Sequence, residues 1–157
     1  GVFARRFRFG VPENVEATVS IKGALTNCWH RSCGKQTRIV TFVDVAFGPH
    51  TCMLRVPDMG KHQNLLQTML KRLPKNLGIG EIKRRYSHTQ KRSYMSNGCF
   101  HCDRLIGEFF DHEVWDTQEE IVAFPIRISK EWKAAIEGHE GFGATWGVYP
   151  PTAQFAQ

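Results

Sequence analysis

Apolar and polar residues alternate along several short stretches of the chain, and this period of two predicts β-strands. Between Val15 and Lys22 every second residue is apolar, which indicates a strand with one buried face. Residues 38–47 and 51–56 are rich in β-branched and aromatic residues and flank the turn sequence Gly48-Pro49-His50, so they predict a β-hairpin. Residues 81–86 and 92–95 predict two more short strands. Residues 121–128 predict an edge strand because they contain Pro125.

Three other segments have the spacing of apolar residues that is typical of helices. Residues 61–73 predict a helix that ends before Pro74, and its apolar face is expected to pack in the core. Ser129 is placed to cap a helix that ends at Gly138. A third helix is expected over residues 105–110, directly after a pair of cysteines. Together with the strands, these helices predict an α+β protein in which an antiparallel sheet is combined with two or three helices.

Length and composition fit one ordinary folded domain. The chain has 157 residues, of which 41% are hydrophobic and 23% charged, enough to bury a core. No run of about 18 apolar residues occurs, so neither a transmembrane helix nor a membrane partner is expected. The beginning of the chain lacks the apolar core of a signal peptide, which predicts a cytoplasmic location. Residues 1–138 are expected to form a single α+β domain, and residues 139–157 an extended tail rich in glycine and proline.

Four of the five cysteines occur as two pairs, Cys28 with Cys33 and Cys99 with Cys102. A Cys-x-x-Cys turn lets two thiolates converge on one metal ion, and clustered cysteines in a reducing compartment are more often metal ligands than disulfides. The sequence therefore predicts one Zn²⁺ bound by all four. Because four thiolates fill the coordination sphere of zinc, the ion is expected to be structural and not catalytic. Cys52 is expected to be a buried apolar residue in a strand.

Alternatives to this four-cysteine site remain open at the level of sequence. His30 could replace Cys28 or Cys33 as a ligand. His101 is expected to point away from the metal. Cys99 and Cys102 could instead form a redox dithiol, although the βαβ context of such a motif is missing.

The residues around the cysteines resemble those of a family of uncharacterised bacterial zinc-ribbon-like proteins. The similarity covers Cys28-Trp29, Cys33-Gly34-Lys35 and the segment from Tyr86 to His112, which includes Cys99-x-x-Cys102-x-x-Leu105-Ile106-Gly107-Glu108-Phe109-Phe110. In that family a Cys-Trp-x-Cys-Gly-Lys turn is paired with such a segment, and this chain has two extra residues in the first turn. The resemblance implies a metal site with four cysteine ligands. The expected architecture is zinc-ribbon-like or treble-clef-like, with the second cysteine pair at the start of a helix.

The charged residues are unevenly distributed, with a net charge of +6. Residues 71–92 contain eight Lys or Arg and one acid, and residues 103–120 contain seven acids and one base. The two blocks could face each other or be solvated. A basic segment with aromatic residues is also typical of nucleic-acid binding, because phosphate contacts and base stacking need those residue types. The predicted contacts to DNA or RNA are Lys71, Arg72, Lys75, Lys83, Arg84, Arg85, Tyr86, Lys91, Arg92 and Tyr94.

Two further functions are compatible with the sequence. The aromatic tail over residues 139–157 and the acidic region over residues 103–120 could dock a protein partner. A metal-dependent nuclease could use Glu81 and Lys83, which point to one face of a strand, with Asp44 and Asp58. No residue is assigned as catalytic, and a zinc-stabilised binding module for nucleic acid is the leading hypothesis.

Overall fold

The computed structural model of the protein describes residues 10–107 and 117–138. In this part of the chain there are seven strands, one 3-10 helix and two α-helices. The elements are β1 (Glu16–Asn27), β2 (Gln36–Phe47), β3 (His50–Leu54), the 3-10 helix (Val56–Lys61), α1 (Gln63–Leu70), β4 (Lys83–Ser87), β5 (Arg92–Gly98), β6 (Leu105–Ile106), β7 (Glu119–Arg127) and α2 (Lys130–Gly138). Antiparallel sheet with few helices confirms the α+β class.

The larger sheet has four strands in the order β3-β2-β1-β7, and neighbouring strands are antiparallel. The hairpin of β2 and β3 is confirmed, and the strand predicted from Val15 extends to Asn27. Strand β7 lies at one edge of the sheet. Pro125 has no N–H to donate, but at the edge of the sheet its absence breaks no hydrogen bonds between central strands.

The smaller sheet has three strands in the order β4-β5-β6. The buried side chain of Asn97 on β5 joins it to the larger sheet. Its Nδ2 donates to the Val40 carbonyl oxygen at 2.7 Å, and its Oδ1 accepts from the Val40 N–H at 3.0 Å. The amide thus pairs with β2 as a strand backbone would, and it satisfies two buried polar groups.

The main core lies between the four-stranded sheet and the helices. Ile21, Val45 and Leu54 from the sheet pack in one cluster with Met59 of the 3-10 helix and Ile136 of α2, and all are almost completely buried. Helix α1 contributes Leu65, Leu66 and Met69. These contacts confirm that the leucine-rich helix faces the core.

The observed helices are close to the predicted ones. Helix α1 begins at Gln63, because Pro57 and the residues up to Lys61 form the separate 3-10 helix. Helix α2 begins after Ser129, whose Oγ accepts a hydrogen bond from the Trp132 N–H at 3.2 Å, as expected of an N-cap.

The helix predicted over residues 105–110 is wrong in the part that the structure describes. Leu105 and Ile106 form strand β6, which pairs with Gly98 and Asn97 of β5. Backbone pairing with β5 overrides the local helical spacing. The second cysteine pair therefore precedes a strand and not a helix. Phe109 and Phe110 lie outside the described residues.

The predicted tail over residues 139–157 also lies outside the described residues, so the domain boundary at residue 138 stays a prediction. No helix in the described ranges is long and apolar enough to cross a membrane.

Replacing Gly80 by alanine is expected to destabilise the protein by about 1–3 kcal/mol, because an added Cβ would overlap the backbone of Gly98 and Cys99. Backbone atoms cannot move aside as a flexible side chain could. Urea unfolding measures the change. Gly138→Ala is the matched control, since an added Cβ there meets no atom within 4 Å. Equal stability of the two variants would contradict the close packing at Gly80.

Candidate metal centre

The four paired cysteines come together in the structure. Their Sγ atoms all lie within 4.8 Å of one another. The Sγ atoms of Cys28 and Cys102 are 3.6 Å apart, and those of Cys33 and Cys99 are 3.7 Å apart. A regular tetrahedron with metal–sulfur bonds of about 2.3 Å has edges of about 3.8 Å. All four are free thiols, and none forms a disulfide. The four cysteines could therefore bind a metal ion.

The first pair lies in the turn between β1 and β2, and we call residues 28–35 the first knuckle. The N–H groups of Cys33 and Gly34 donate to the His30 carbonyl oxygen at 2.9 and 3.0 Å, and the Cys28 N–H donates to the Lys35 carbonyl oxygen at 2.9 Å. Gly34 has a φ of +63°, in the left-handed region that glycine adopts at little cost. Glycine thus lets the chain turn back into β2 directly after Cys33.

The second pair lies in the turn between β5 and β6, and we call residues 99–104 the second knuckle. The Asp103 N–H donates to the Cys99 carbonyl oxygen and the Cys99 N–H to the Arg104 carbonyl oxygen, both at 2.9 Å. Asp103 has a φ of +63°, which aspartate tolerates better than most residues. The His101 N–H also points at the Cys99 Sγ, 3.4 Å away.

The two knuckles share one backbone pattern. In each, the residue after the second cysteine is left-handed and bonds to the carbonyl three residues before that cysteine. In the first knuckle His30 occupies the place that Cys99 has in the second. Cys28 therefore lies two positions before the start of this turn, whereas Cys99 itself starts the second one, and the Cys28 sulfur still reaches the cluster.

A side chain of each knuckle also forms a hydrogen bond with the backbone that follows the other knuckle. Trp29 Nε1 donates to the Leu105 carbonyl oxygen at 2.7 Å, and His101 Nε2 donates to that of Gln36 at 3.0 Å. Each acceptor lies three residues beyond the second cysteine of the opposite knuckle. The Phe100 N–H donates to Oγ1 of the buried Thr37 at 3.0 Å. These reciprocal bonds fix the two turns relative to each other.

Neither nearby histidine belongs to the sulfur cluster. His30 Nδ1 accepts from the Ser32 N–H at 3.2 Å and lies 2.7 Å from the Ser32 Oγ. His101 is directed at Gln36, away from the sulfurs, as expected. Among the described His, Cys, Asp and Glu residues, the group of ligand atoms close enough for a metal consists of the four cysteines.

The sulfurs lie at the edge of a small apolar cluster with Ala24, Ile39 and Ile106. Burial raises the pKa of the Cys28 thiol to about 12. At Cys102 burial acts in the same direction, but hydrogen bonds from Arg104 and the neighbouring thiols outweigh it and lower the pKa to about 6. Of these two thiols, Cys102 is therefore the one that ionises first as pH rises. Binding a metal would displace the remaining protons.

Arg85 supports the second knuckle. Its guanidinium lies against Gly98. It donates to the carbonyl oxygens of Asp103, Ser96 and Glu81 at 3.1, 3.0 and 2.8 Å, and to the Asp103 carboxylate at 2.6 Å. Lys83 Nζ lies 2.7 Å from the same carboxylate. These two cations hold the pKa of Asp103 below its usual range, with the Lys83 hydrogen bond the main favourable cause. Lys83 and Arg85, both predicted to contact nucleic acid, therefore form ion pairs with Asp103 instead.

The other predicted contacts lie on separate parts of the fold. Tyr94 is buried, and the Arg92 guanidinium lies 5.1 Å from its ring centroid.

Arg72 lies 4.9 Å from the ring centroid of Phe124 on the larger sheet. Lys71, like Arg72, follows helix α1, and Lys75 lies in the next turn; all three are exposed. The exposed contacts on the β4–β5 hairpin are Arg84, Tyr86, Lys91 and Arg92.

The residues considered for a nuclease do not converge. Lys83 Nζ lies 3.5 Å from the Glu81 carboxylate but is bound to Asp103. Asp58 accepts the Arg55 N–H at the start of the 3-10 helix. Asp44 lies on β2, where burial raises the pKa of its carboxyl group. In the described ranges these acids form no metal-ligand cluster.

The sequence did not indicate the structural roles of Arg85, Trp29 and Asn97, whose side chains hydrogen-bond to backbone carbonyl groups elsewhere in the fold. For Arg85 a signal existed, since alternation in β4 places it on the face opposite Arg84. Its partner Asp103 is not indicated by any local pattern.

Comparison of the chain with protein-family models, with curated proteins and with solved structures gives no match in any of the three.

Proposed function

We propose that the protein is a binding module in which a structural Zn²⁺, held by Cys28, Cys33, Cys99 and Cys102, supports a basic hairpin that contacts nucleic acid. The observation that carries the proposal is the cluster of four sulfurs within 4.8 Å. An all-thiolate tetrahedral set is soft and selects zinc over the harder divalent cations. With four protein ligands no position remains for water or substrate, so the ion acts on the fold.

The local architecture favours a zinc ribbon over a treble clef. Both knuckles are the turns of antiparallel hairpins, β1–β2 and β5–β6. A treble clef would place a helix after the second knuckle, where this chain has β6.

The β4–β5 hairpin supplies the charge that a nucleic acid would recognise. Residues 82–98 contain five Lys or Arg and no acid. Lys83 and Arg85 bind Asp103, and Arg84, Lys91 and Arg92 are exposed. Tyr86 is also exposed, and its ring is in edge contact with His88 at 5.0 Å. Three exposed cations on this hairpin can contact phosphates, and the exposed ring of Tyr86 can contact bases.

Binding is expected to weaken steeply with salt. About three phosphate contacts predict a slope of log K against log salt concentration near −2 to −3. Arg84→Ala and Lys91→Ala are each expected to reduce that slope by about one and to weaken binding to all sequences alike. Fluorescence anisotropy with labelled DNA and RNA, single-stranded and duplex, measures both quantities.

Lys130→Ala, at an exposed lysine on α2, is the control and is expected to leave the slope unchanged. The proposal fails if zinc-loaded protein binds no nucleic acid at low salt, or if the hairpin variants bind like wild type.

A further inference from the structure

Two large aromatic side chains are exposed on the knuckles. Trp29 and Phe100 are 54% and 52% exposed, and each directly follows the first cysteine of its knuckle. The four sulfurs lie within 4.8 Å of one another. Given the covalent geometry of the chain, the Cα atoms of the two aromatic residues lie within about 18 Å.

Both aromatic residues are held in position although they are exposed. Trp29 is anchored through its Nε1 to Leu105, and the backbone of Phe100 to Thr37. The Phe100 ring also lies beside Gly78. A side chain that is already positioned loses less conformational freedom when a ligand binds, so these rings are suited to contact a partner.

Three cations lie exposed on the loops that carry the rings: Arg31, Lys35 and Arg104, of which Arg104 also donates to the Cys102 sulfur. The one acid in residues 28–35 and 99–104 is Asp103, whose charge Lys83 and Arg85 offset. Four thiolates with one Zn²⁺ carry a formal charge of about −2, which the three cations exceed. Exposed rings among cations fit a polyanion that also has aromatic faces, and do not fit an acidic peptide, which offers only the charge.

We propose that the two knuckles form a site for single-stranded nucleic acid, in which bases stack on Trp29 and Phe100 while Arg31, Lys35 and Arg104 contact phosphates. The inference rests on the proposed function and names its ligand. Bases in a duplex are already stacked on one another and cannot lie on both rings, whereas unstacked bases can. A separation of up to about 18 Å fits binding sites of about 4–16 nucleotides.

The test compares a fluorescein-labelled oligothymidylate of about 12 nucleotides with a duplex of the same length, using the zinc-loaded 157-residue chain. The single strand is expected to bind at least about tenfold more tightly. Trp29→Ala and Phe100→Ala are each expected to weaken that binding by about 5- to 150-fold, the usual loss for one stacked base. Trp29→Phe keeps an aromatic ring without the hydrogen bond to Leu105 and is expected to retain most of the affinity. Zinc content and thermal midpoint confirm that each variant is folded.

The outcomes separate this site from the hairpin. If Arg84→Ala weakens binding while both alanine variants at the knuckles bind normally, the knuckle site is refuted and the proposed function stands. An effect at one ring alone refutes the two-ring site. Displacement of the oligonucleotide by polyglutamate at equal charge concentration would show that charge alone is recognised and would also refute it. No binding of either nucleic acid refutes both proposals.

Discussion

Replacing Cys102 by serine is expected to abolish binding of Zn²⁺ and to unfold the knuckle end of the protein. Structural zinc in small domains contributes about 10–16 kcal/mol of apparent binding free energy, and this energy acts as folding energy. The side chain of Cys102 is partly exposed, so the substitution itself disturbs little packing. Elemental analysis should give one zinc per chain for wild type and none for the variant, and urea unfolding should show a large loss of stability.

Cys52→Ala separates loss of a ligand from loss of a cysteine. Cys52 is 1% exposed and packs in the main core, apart from the four-sulfur cluster. The variant is expected to keep one zinc and to lose about 1 kcal/mol through the small cavity. Wild-type protein that is metal-free yet fully folded would contradict the zinc site.

Arg85→Ala is expected to destabilise the protein by about 3 kcal/mol, because it leaves the carbonyl groups of Glu81, Ser96 and Asp103 without their donor. The Arg85 side chain is only 8% exposed, so water replaces these hydrogen bonds poorly. The second knuckle should open at lower urea concentration, and zinc should be lost more rapidly to a chelator. Equilibrium unfolding and the rate of zinc release measure the two effects.

Arg84→Ala is the matched control for this loss, since Arg84 is the adjacent residue on the same strand and is exposed. Its stability is expected to change by less than about 0.5 kcal/mol, while its affinity for nucleic acid falls. The opposite result, a stable Arg85→Ala protein with weakened binding, would show that Arg85 contacts the ligand and does not support the knuckle.

In the proposed arrangement, a metal held by the four cysteines would join two distant turns and would leave no open position for chemistry. The exposed side chains on the knuckles and on the β4–β5 hairpin would then contact the partner. For this reason the cysteines alone do not identify a ligand.

Much of the fold follows from the sequence by itself. The alternation in β1, the turn at Gly48-Pro49-His50 and the cap at Ser129 are local signals, because each depends on residues that are neighbours in the chain. The four cysteines could also be selected without a structure, since few residue types ligate zinc and their spacing is restricted.

Other features were decided by the tertiary structure alone. Leu105 and Ile106 have helical spacing but form a strand, because β5 offers them backbone partners once the second knuckle has closed. Alternation places Arg84 and Arg85 on opposite faces of β4, but only the tertiary structure shows that Arg85 meets Asp103. Tyr94 was expected to stack with bases and is buried. For strand β6 and for Arg85 the decisive partner lies on another segment of the fold. Such a contact forms only after the chain has folded, so no local pattern encodes it.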